Sequence, residues 1–152
     1  MTKDVFDLEK GDFLSIYNRD YVVEEIYKIG AGEAAALNCL LRDGREERWF
    51  AARRAAGTLF YFGEKMDLEH FDPESPLEFE DGIYHMVASK QGRAVAVSNM
   101  GYPRYVNMEY YDYRESGGEK FIFIQRREGE SLIFEGEPVI SSALVVFPSP
   151  KP

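Results

Sequence analysis

Cysteine, histidine and tryptophan are scarce in this sequence, which has one Cys, two His and one Trp among 152 residues. The single cysteine, Cys39, cannot form an internal disulfide, and its apolar neighbours favour a buried, unreactive thiol. A chain without disulfides is typical of the reducing cytosol, so a cytoplasmic protein is predicted. His70 and His85 lie far from Cys39 along the chain and show no ligand spacing, so no metal site is expected.

Long apolar runs and basic charge are also scarce. No stretch approaches the roughly 20 apolar residues of a membrane-spanning helix, and the start of the chain does not resemble a signal peptide, so no membrane insertion is predicted. The 27 acidic and 18 basic residues give a net charge of −9, a sign that argues against binding to nucleic-acid phosphates. A cationic partner is compatible with this charge, although solubility alone also accounts for it.

Sequence motifs for catalysis are missing. Gly30-x-Gly32 is too short for a dinucleotide-binding loop, and Ser98 and Ser131 lie in no glycine elbow. Carboxylates are abundant, but nothing in the sequence gives one pair the unequal environments that acid–base catalysis needs. The sequence therefore predicts no catalytic residue and no cofactor, and it favours binding over catalysis.

Two hairpin patterns organise what the sequence does contain. The first runs from Leu37 to Phe50 and turns at Asp43-Gly44, where glycine accepts positive φ and aspartate bonds its own turn. The second enters over 106–113, turns over 114–119 and leaves over 120–124. Similar short strands, separated by turn residues every eight to twelve positions, predict an all-β barrel or sandwich with ten or more strands and little helix.

Local patterns refine this prediction. A slip in the alternation at Glu24-Glu25 indicates a β-bulge. Gln91-Gly92 and Glu135-Gly136-Glu137 predict turns between strands, and Gly63 is expected to end the strand over 58–62. Trp49, the only tryptophan, is predicted to anchor the return arm of the first hairpin in the core, the alternative being a surface platform for a ligand.

The order of elements repeats weakly, which predicts an internal repeat of two small, similar antiparallel β-barrel or meander subdomains packed together. The first subdomain would span 9–66 and the second 77–147. An acidic, proline-containing linker would join them over 67–76, and a disordered tail would occupy 148–152.

A tyrosine-rich stretch over 102–113 is the most distinctive candidate site. On a strand, Tyr110 and Asp112 would share one face and Glu109 would lie on the other. A face that presents tyrosine beside carboxylate suits a protein contact or an ammonium ligand, so Tyr105, Glu109, Tyr110 and Asp112 are the predicted ligand-binding residues. The alternative is a tyrosine-rich core strand.

Short motifs along nearly the whole chain resemble the DUF4178 family of bacterial proteins of unknown function. They are Gly11-Asp12, Tyr21-x-Val23, Leu40-Leu41-x-Asp43-Gly44 and Trp49 in the first half, and Gly82-x-Tyr84, Gly92-x-Ala94, Tyr110-x-Asp112-Tyr113 and Gly136-x-Pro138 in the second. The resemblance implies no established reaction, catalytic residue or cofactor.

The predicted function is that of a non-enzymatic cytosolic binding or scaffold module, which meets a protein partner through exposed aromatics and sheet edges; self-association stays open. The alternative is a small-molecule binder or enzyme that uses a groove between the two halves, with a cationic, polyamine-like ligand suited to the acidic charge. A pocket with two or more convergent carboxylates and an aromatic wall would favour this alternative. A flat aromatic patch at a sheet edge would favour the protein partner.

Overall fold

The computed structural model describes residues 4–30, 36–54, 57–68, 70–97 and 103–149. Within these residues the chain forms one antiparallel sheet of eleven strands. The strands are β1 (Phe13–Ile16), β2 (Arg19–Ile29), β3 (Ala36–Asp43), β4 (Glu46–Arg54), β5 (Thr58–Lys65), β6 (Leu77–Phe79), β7 (Gly82–Val97), β8 (Pro103–Glu115), β9 (Phe121–Arg127), β10 (Glu130–Val139) and β11 (Leu144–Phe147). Two short 3-10 turns, Val5–Asp7 and Ser141–Ala143, complete the described elements.

Eight of these strands close into a barrel. Strands β2 to β5 form one run of antiparallel neighbours and β7 to β10 form the other. The runs join at two seams, where β5 pairs with β10 and β2 pairs with β7. The predicted all-β barrel is therefore confirmed, and the eleven strands of the sheet meet the predicted number of ten or more.

The remaining strands lie outside the barrel. Strands β11 and β1 extend the sheet beyond β2, and β6 pairs with the start of β7. The predicted linker over 67–76 falls between β5 and β6. Each predicted half therefore contributes four consecutive barrel strands, while the division into two subdomains stays a prediction. None of the described helical segments is long and apolar enough to cross a membrane.

Three apolar cores explain why several strands are apolar on both faces. One fills the barrel lumen with side chains from all eight barrel strands, including Trp49, Phe123 and Phe134. A second covers the outside of β3 and β4 beneath β1 and β11, and a third covers the outside of β8 and β9. Six consecutive residues of β3 are buried as a result, a pattern that a sheet with one solvated face does not produce.

Both predicted hairpins and the predicted bulge are confirmed. Asp43 pairs with Glu46 across a two-residue turn whose first position is Gly44, with φ +63°, the place that glycine takes in a type II′ turn. The second hairpin joins β8 to β9. Between Val23 and Glu25 the register of β2 against β3 shifts by one residue, which leaves Glu24 as the extra residue.

Three glycines predicted to break strands lie inside them instead. Strand β7 runs unbroken past Gly92, which pairs with Met108, so the turn predicted at Gln91-Gly92 is wrong. Gly63 and Gly136 face each other across the β5–β10 seam, so the turn predicted at Glu135-Gly136-Glu137 is also wrong. A Cβ on Gly63 would lie 1.7 Å from a backbone oxygen of β10. These two glycines therefore permit a close approach of backbones at the seam.

The segment between β5 and β6 packs against the barrel. Phe71 lies 5.2 Å from Tyr111 and 5.9 Å from Tyr113, ring centre to ring centre. At the other end, the backbone N–H of Ser149 donates to Asp12 Oδ1 at 2.8 Å. The rest of the predicted tail, 150–152, lies outside the described residues, as do Gly32, Ser98 and Tyr102.

Trp49 is a core residue, as predicted, with 4% of its surface exposed. Its indole stacks on Phe134 at 5.4 Å and on Tyr27 at 6.4 Å. Replacing Trp49 with Ala should lower the free energy of unfolding by about 3–5 kcal/mol, because the lost ring leaves a cavity. Urea denaturation followed by circular dichroism measures the loss. Trp49→Phe keeps part of the stacking and should cost less; an unchanged midpoint for Trp49→Ala would contradict the anchoring role.

Cys39 is fully buried, as predicted, and burial raises the pKa of its thiol above the ordinary value of 9.0. A raised pKa in the folded state contributes stability below about pH 9 and loses it as the pH rises, by roughly 1.4 kcal/mol per pH unit. Between about pH 8.5 and pH 10, wild type should therefore lose about 1 kcal/mol more than Cys39→Ala. Urea midpoints of both proteins across this range test the difference, and parallel curves would contradict it.

Candidate functional site

A buried ion pair crosses the barrel lumen. Arg53 on β4 donates from Nε to Asp112 Oδ2 at 2.7 Å and from Nη2 to Asp112 Oδ1 at 3.1 Å. Both residues are less than one-tenth exposed. A bidentate pair of this kind is strong and directional, because two parallel hydrogen bonds fix the plane of the guanidinium. The pair connects the two halves of the chain through the interior.

Two amides extend this pair into a polar cluster. Arg53 Nη1 donates to Asn38 Oδ1 at 2.9 Å and to backbone oxygens of Leu37 and Ala52, each at 3.1 Å. Asn38 Nδ2 in turn donates to Gln125 Oε1 at 2.7 Å. We call Asn38, Arg53, Asp112 and Gln125 the lumen cluster. Its four members come from four strands, and each is buried, so the contacts among them replace the water they lose.

Two of the predicted ligand-binding residues belong to this interior. Tyr110 and Asp112 both point into the lumen, and the guanidinium of Arg53 lies 4.7 Å from the centre of the Tyr110 ring. The cation beside this tyrosine and carboxylate is therefore a side chain of the protein itself. Burial raises the pKa of Tyr110 above its ordinary value, so its hydroxyl stays neutral near pH 7.

The other two predicted residues lie on the outer face of β8. Tyr105 is 69% exposed, with the guanidinium of Arg93 5.5 Å from its ring centre. Glu109 accepts a hydrogen bond from the Tyr111 hydroxyl. The structure thus separates Tyr105 and Glu109 from Tyr110 and Asp112, and the ligand-binding role of the four stays a prediction.

An open cavity of about 350 Å³ lies at one end of the barrel. Its acidic lining residues are Glu25 on β2, Glu47 on β4 and Glu130 on β10. Tyr27 and Trp49 supply an aromatic wall. We call this cavity the glutamate mouth. Because β2 and β4 belong to the first half and β10 to the second, the mouth lies between the two halves.

Hydrogen bonds organise the wall of the glutamate mouth. The Tyr27 hydroxyl donates to Glu25 Oε1 at 2.6 Å. Arg127 Nη2 donates to the same hydroxyl at 3.3 Å, and its guanidinium lies 4.9 Å from the Tyr27 ring centre. Burial, followed by the bond to Glu25, raises the pKa of Tyr27. Tyr27 therefore holds Glu25 in place as a neutral donor.

Sequence reasoning singled out Asp112 but missed the other three members of the lumen cluster, although a signal was present. Arg53 shares a strand face with Trp49 and Ala51, Asn38 interrupts an apolar run in β3, and Gln125 follows an apolar run in β9. A polar side chain on a core face needs a buried partner. Which partner each one has depends on how the barrel closes. Within the described residues, no group of three or more His, Cys, Asp or Glu side chains is arranged to hold a metal ion.

Fold and site together define an antiparallel eight-stranded β-barrel with a polar cluster in its lumen. A family model, described as a domain of unknown function (DUF4178), matches residues 9–141. The match covers most of the chain, so the protein belongs to this family, as its sequence motifs indicated. No curated protein and no solved structure matches the chain.

A double-mutant cycle tests the coupling between Arg53 and Asp112. Either Arg53→Met or Asp112→Leu alone should lower the free energy of unfolding by about 3–5 kcal/mol, because it leaves a buried charge without its partner. The double variant should lose clearly less than the sum of the two. Urea denaturation of the four proteins measures the coupling.

The exposed pair of Arg19 and Asp43, whose atoms are also 2.7 Å apart, is the matched control. Solvent and salt screen an exposed pair, so its cycle should show much weaker coupling. Additive losses for Arg53 and Asp112 would contradict a coupled pair.

Proposed function

We propose that this protein is a non-enzymatic binding module for a small cationic molecule, which it holds in the glutamate mouth. The observation that carries the proposal is the convergence of Glu25, Glu47 and Glu130 around the rings of Tyr27 and Trp49. Carboxylates attract organic cations by charge, and the aromatic wall gives the cavity an apolar side for the carbon chain of such a ligand. The volume lies at the lower end of the range of small-molecule sites.

The basic residues of the mouth indicate what kind of cation fits. Arg127 already lies over the Tyr27 ring, so this ring face has its own cation and a ligand cation would meet the carboxylates instead. Lys65 also lines the mouth, and Glu47 is already paired with Arg42. A ligand ammonium would pair with the carboxylate of Glu130, because Glu130 has no ion pair with any described residue.

A polyamine-like ligand suits the site, because separated ammonium groups can reach separate carboxylates. The net charge of −9 would raise the local concentration of such a cation at low salt. The cytosol remains the compartment that the single cysteine predicts.

A protein partner remains the second candidate, supported by an apolar row at the free edge of the sheet. Phe147 on β11 pairs with Phe13, which pairs with Val22. Phe147 is 48% exposed and Val22 36% exposed, and β11 ends the sheet among the described strands. The glutamate mouth favours the small cation, because it combines charge, aromatic wall and concave shape in one place.

Calorimetric titration with spermidine at low salt tests the cation site. Glu130→Gln should weaken binding by about fivefold, the order expected for one exposed charge contact. Glu25→Gln should weaken it at least as much, because it removes the charge and turns the carboxylate acceptor of the Tyr27 hydroxyl into a weaker amide acceptor. Added salt should weaken binding further, because it screens exposed charges.

Glu119→Gln is the matched control, since Glu119 is exposed in the β8–β9 turn and lies outside the mouth. It changes net charge equally and should leave the affinity almost unchanged. If all three variants weakened spermidine binding equally, the loss of affinity would follow from the change in net charge alone, and a defined site would be refuted. A lack of spermidine binding to wild type would refute the polyamine-like ligand.

A further inference from the structure

A second open cavity, of about 300 Å³, lies at the opposite end of the barrel. Strand β4 begins beside the glutamate mouth and ends at Arg53 and Arg54, which line this second cavity. Strand β9 likewise reaches it at Phe121 and reaches the glutamate mouth at Arg127. We call this second cavity the arginine mouth.

The charge of the arginine mouth is opposite to that of the glutamate mouth. Arg53, Arg54 and Arg114 line it, and Asp112 is the single acidic residue among its described lining residues. Both oxygens of Asp112 already accept hydrogen bonds from Arg53. Arg54 also forms an ion pair with Asp4, whose Oδ1 lies 3.6 Å from Arg54 Nη2. Arg114 is exposed and makes no ion pair with a described residue, so one full positive charge faces the opening.

The walls of the arginine mouth are aromatic. Tyr61 and Phe121 lie 4.4 Å apart, centre to centre, and Tyr110 lies beneath the guanidinium of Arg53. Burial raises the pKa of Tyr61 and of Tyr110, so both hydroxyls remain neutral near pH 7. The rings therefore offer an apolar surface with two hydrogen-bonding groups and no negative charge of their own.

The rim of the arginine mouth is apolar and exposed. Leu59 is 52% exposed and Val87 is 56% exposed. The register of β7 against β8 shifts between Met86 and Ala88, so Val87 is the extra residue of a β-bulge. Bulges at barrel rims turn a side chain out of the regular alternation. Here the bulge places an exposed valine at the entrance of a cavity, where it has no described core to join.

We propose that the arginine mouth binds an anionic amphiphile, a small molecule with an apolar chain or ring that ends in a carboxylate. The aromatic walls, Leu59 and Val87 would contact the apolar part, and Arg114 would pair with the anion. One water molecule, with its single non-hydrogen atom, occupies roughly 30 Å³ in the liquid. On that scale, the cavity of about 300 Å³ holds about ten non-hydrogen atoms. This site is distinct from the glutamate mouth and does not depend on the function proposed there.

Calorimetric titration of the full chain with octanoate, whose seven-carbon alkyl chain ends in a carboxylate, tests the proposal. Octanoate should bind, while octanol and octyltrimethylammonium, which have alkyl chains of similar length but lack the negative charge, should bind much more weakly. Arg114→Gln should weaken the binding of octanoate by about fivefold. Val87→Asp should weaken it more, because it places a negative charge on the apolar rim. Titration with 1-naphthoate distinguishes an acyl chain from an aromatic acid, and preference for either supports the site.

Arg45→Gln is the matched control, since Arg45 is exposed in the β3–β4 turn and the substitution removes the same charge. It should leave octanoate binding unchanged, and circular dichroism should show all three variants folded. Equal binding of octanoate and octyltrimethylammonium would overturn the proposal, as would no binding of octanoate at millimolar concentration. Equal affinities of wild type and Arg114→Gln would also overturn it.

Discussion

The interior of this barrel depends on the pairing of two opposite charges that cannot reach water. An unpaired arginine or aspartate in the lumen would carry a large desolvation cost, so Arg53 and Asp112 must face each other. They lie on β4 and β8, which are not neighbours in the sheet. A slip of one residue in either strand would turn its charge to the outer face. We infer that the pair fixes the register of the two hairpins relative to each other, a specificity that interchangeable apolar side chains provide less well.

Much of the fold could be predicted because its signals are local. The turn at Gly44 and the extra residue at Glu24 each follow from a few adjacent residues. Glycine did not predict turns reliably, because the same residue type serves two structural purposes. Gly44 supplies a positive φ in a turn, whereas Gly63 and Gly136 permit close contact between strands that are distant in the sequence. Only the closed barrel distinguishes these cases, since the contact at the seam is what excludes a side chain.

The candidate site was less predictable for a similar reason. Strand alternation correctly puts Tyr110 and Asp112 on one face, but it does not say what lies opposite. The partner turned out to be Arg53, 59 residues away along the chain, so a pattern suited to an external cation is satisfied internally. The three glutamates of the mouth come from β2, β4 and β10, and no spacing in the sequence connects them. Convergence of this kind is a property of barrel closure.

Barrel closure also explains how one chain presents two cavities of opposite charge. The lumen cluster separates them, because Arg53 and Asp112 line the arginine mouth while Gln125 lines the glutamate mouth. Asn38 bonds to both sides, as acceptor from Arg53 and as donor to Gln125. A group that displaced Gln125 from one mouth would take away the acceptor of Asn38, and with it part of what orients Arg53 in the other. In a buried polar network each bond is costly to leave unmade, so Asn38 joins the polar contacts at one end of the barrel to those at the other.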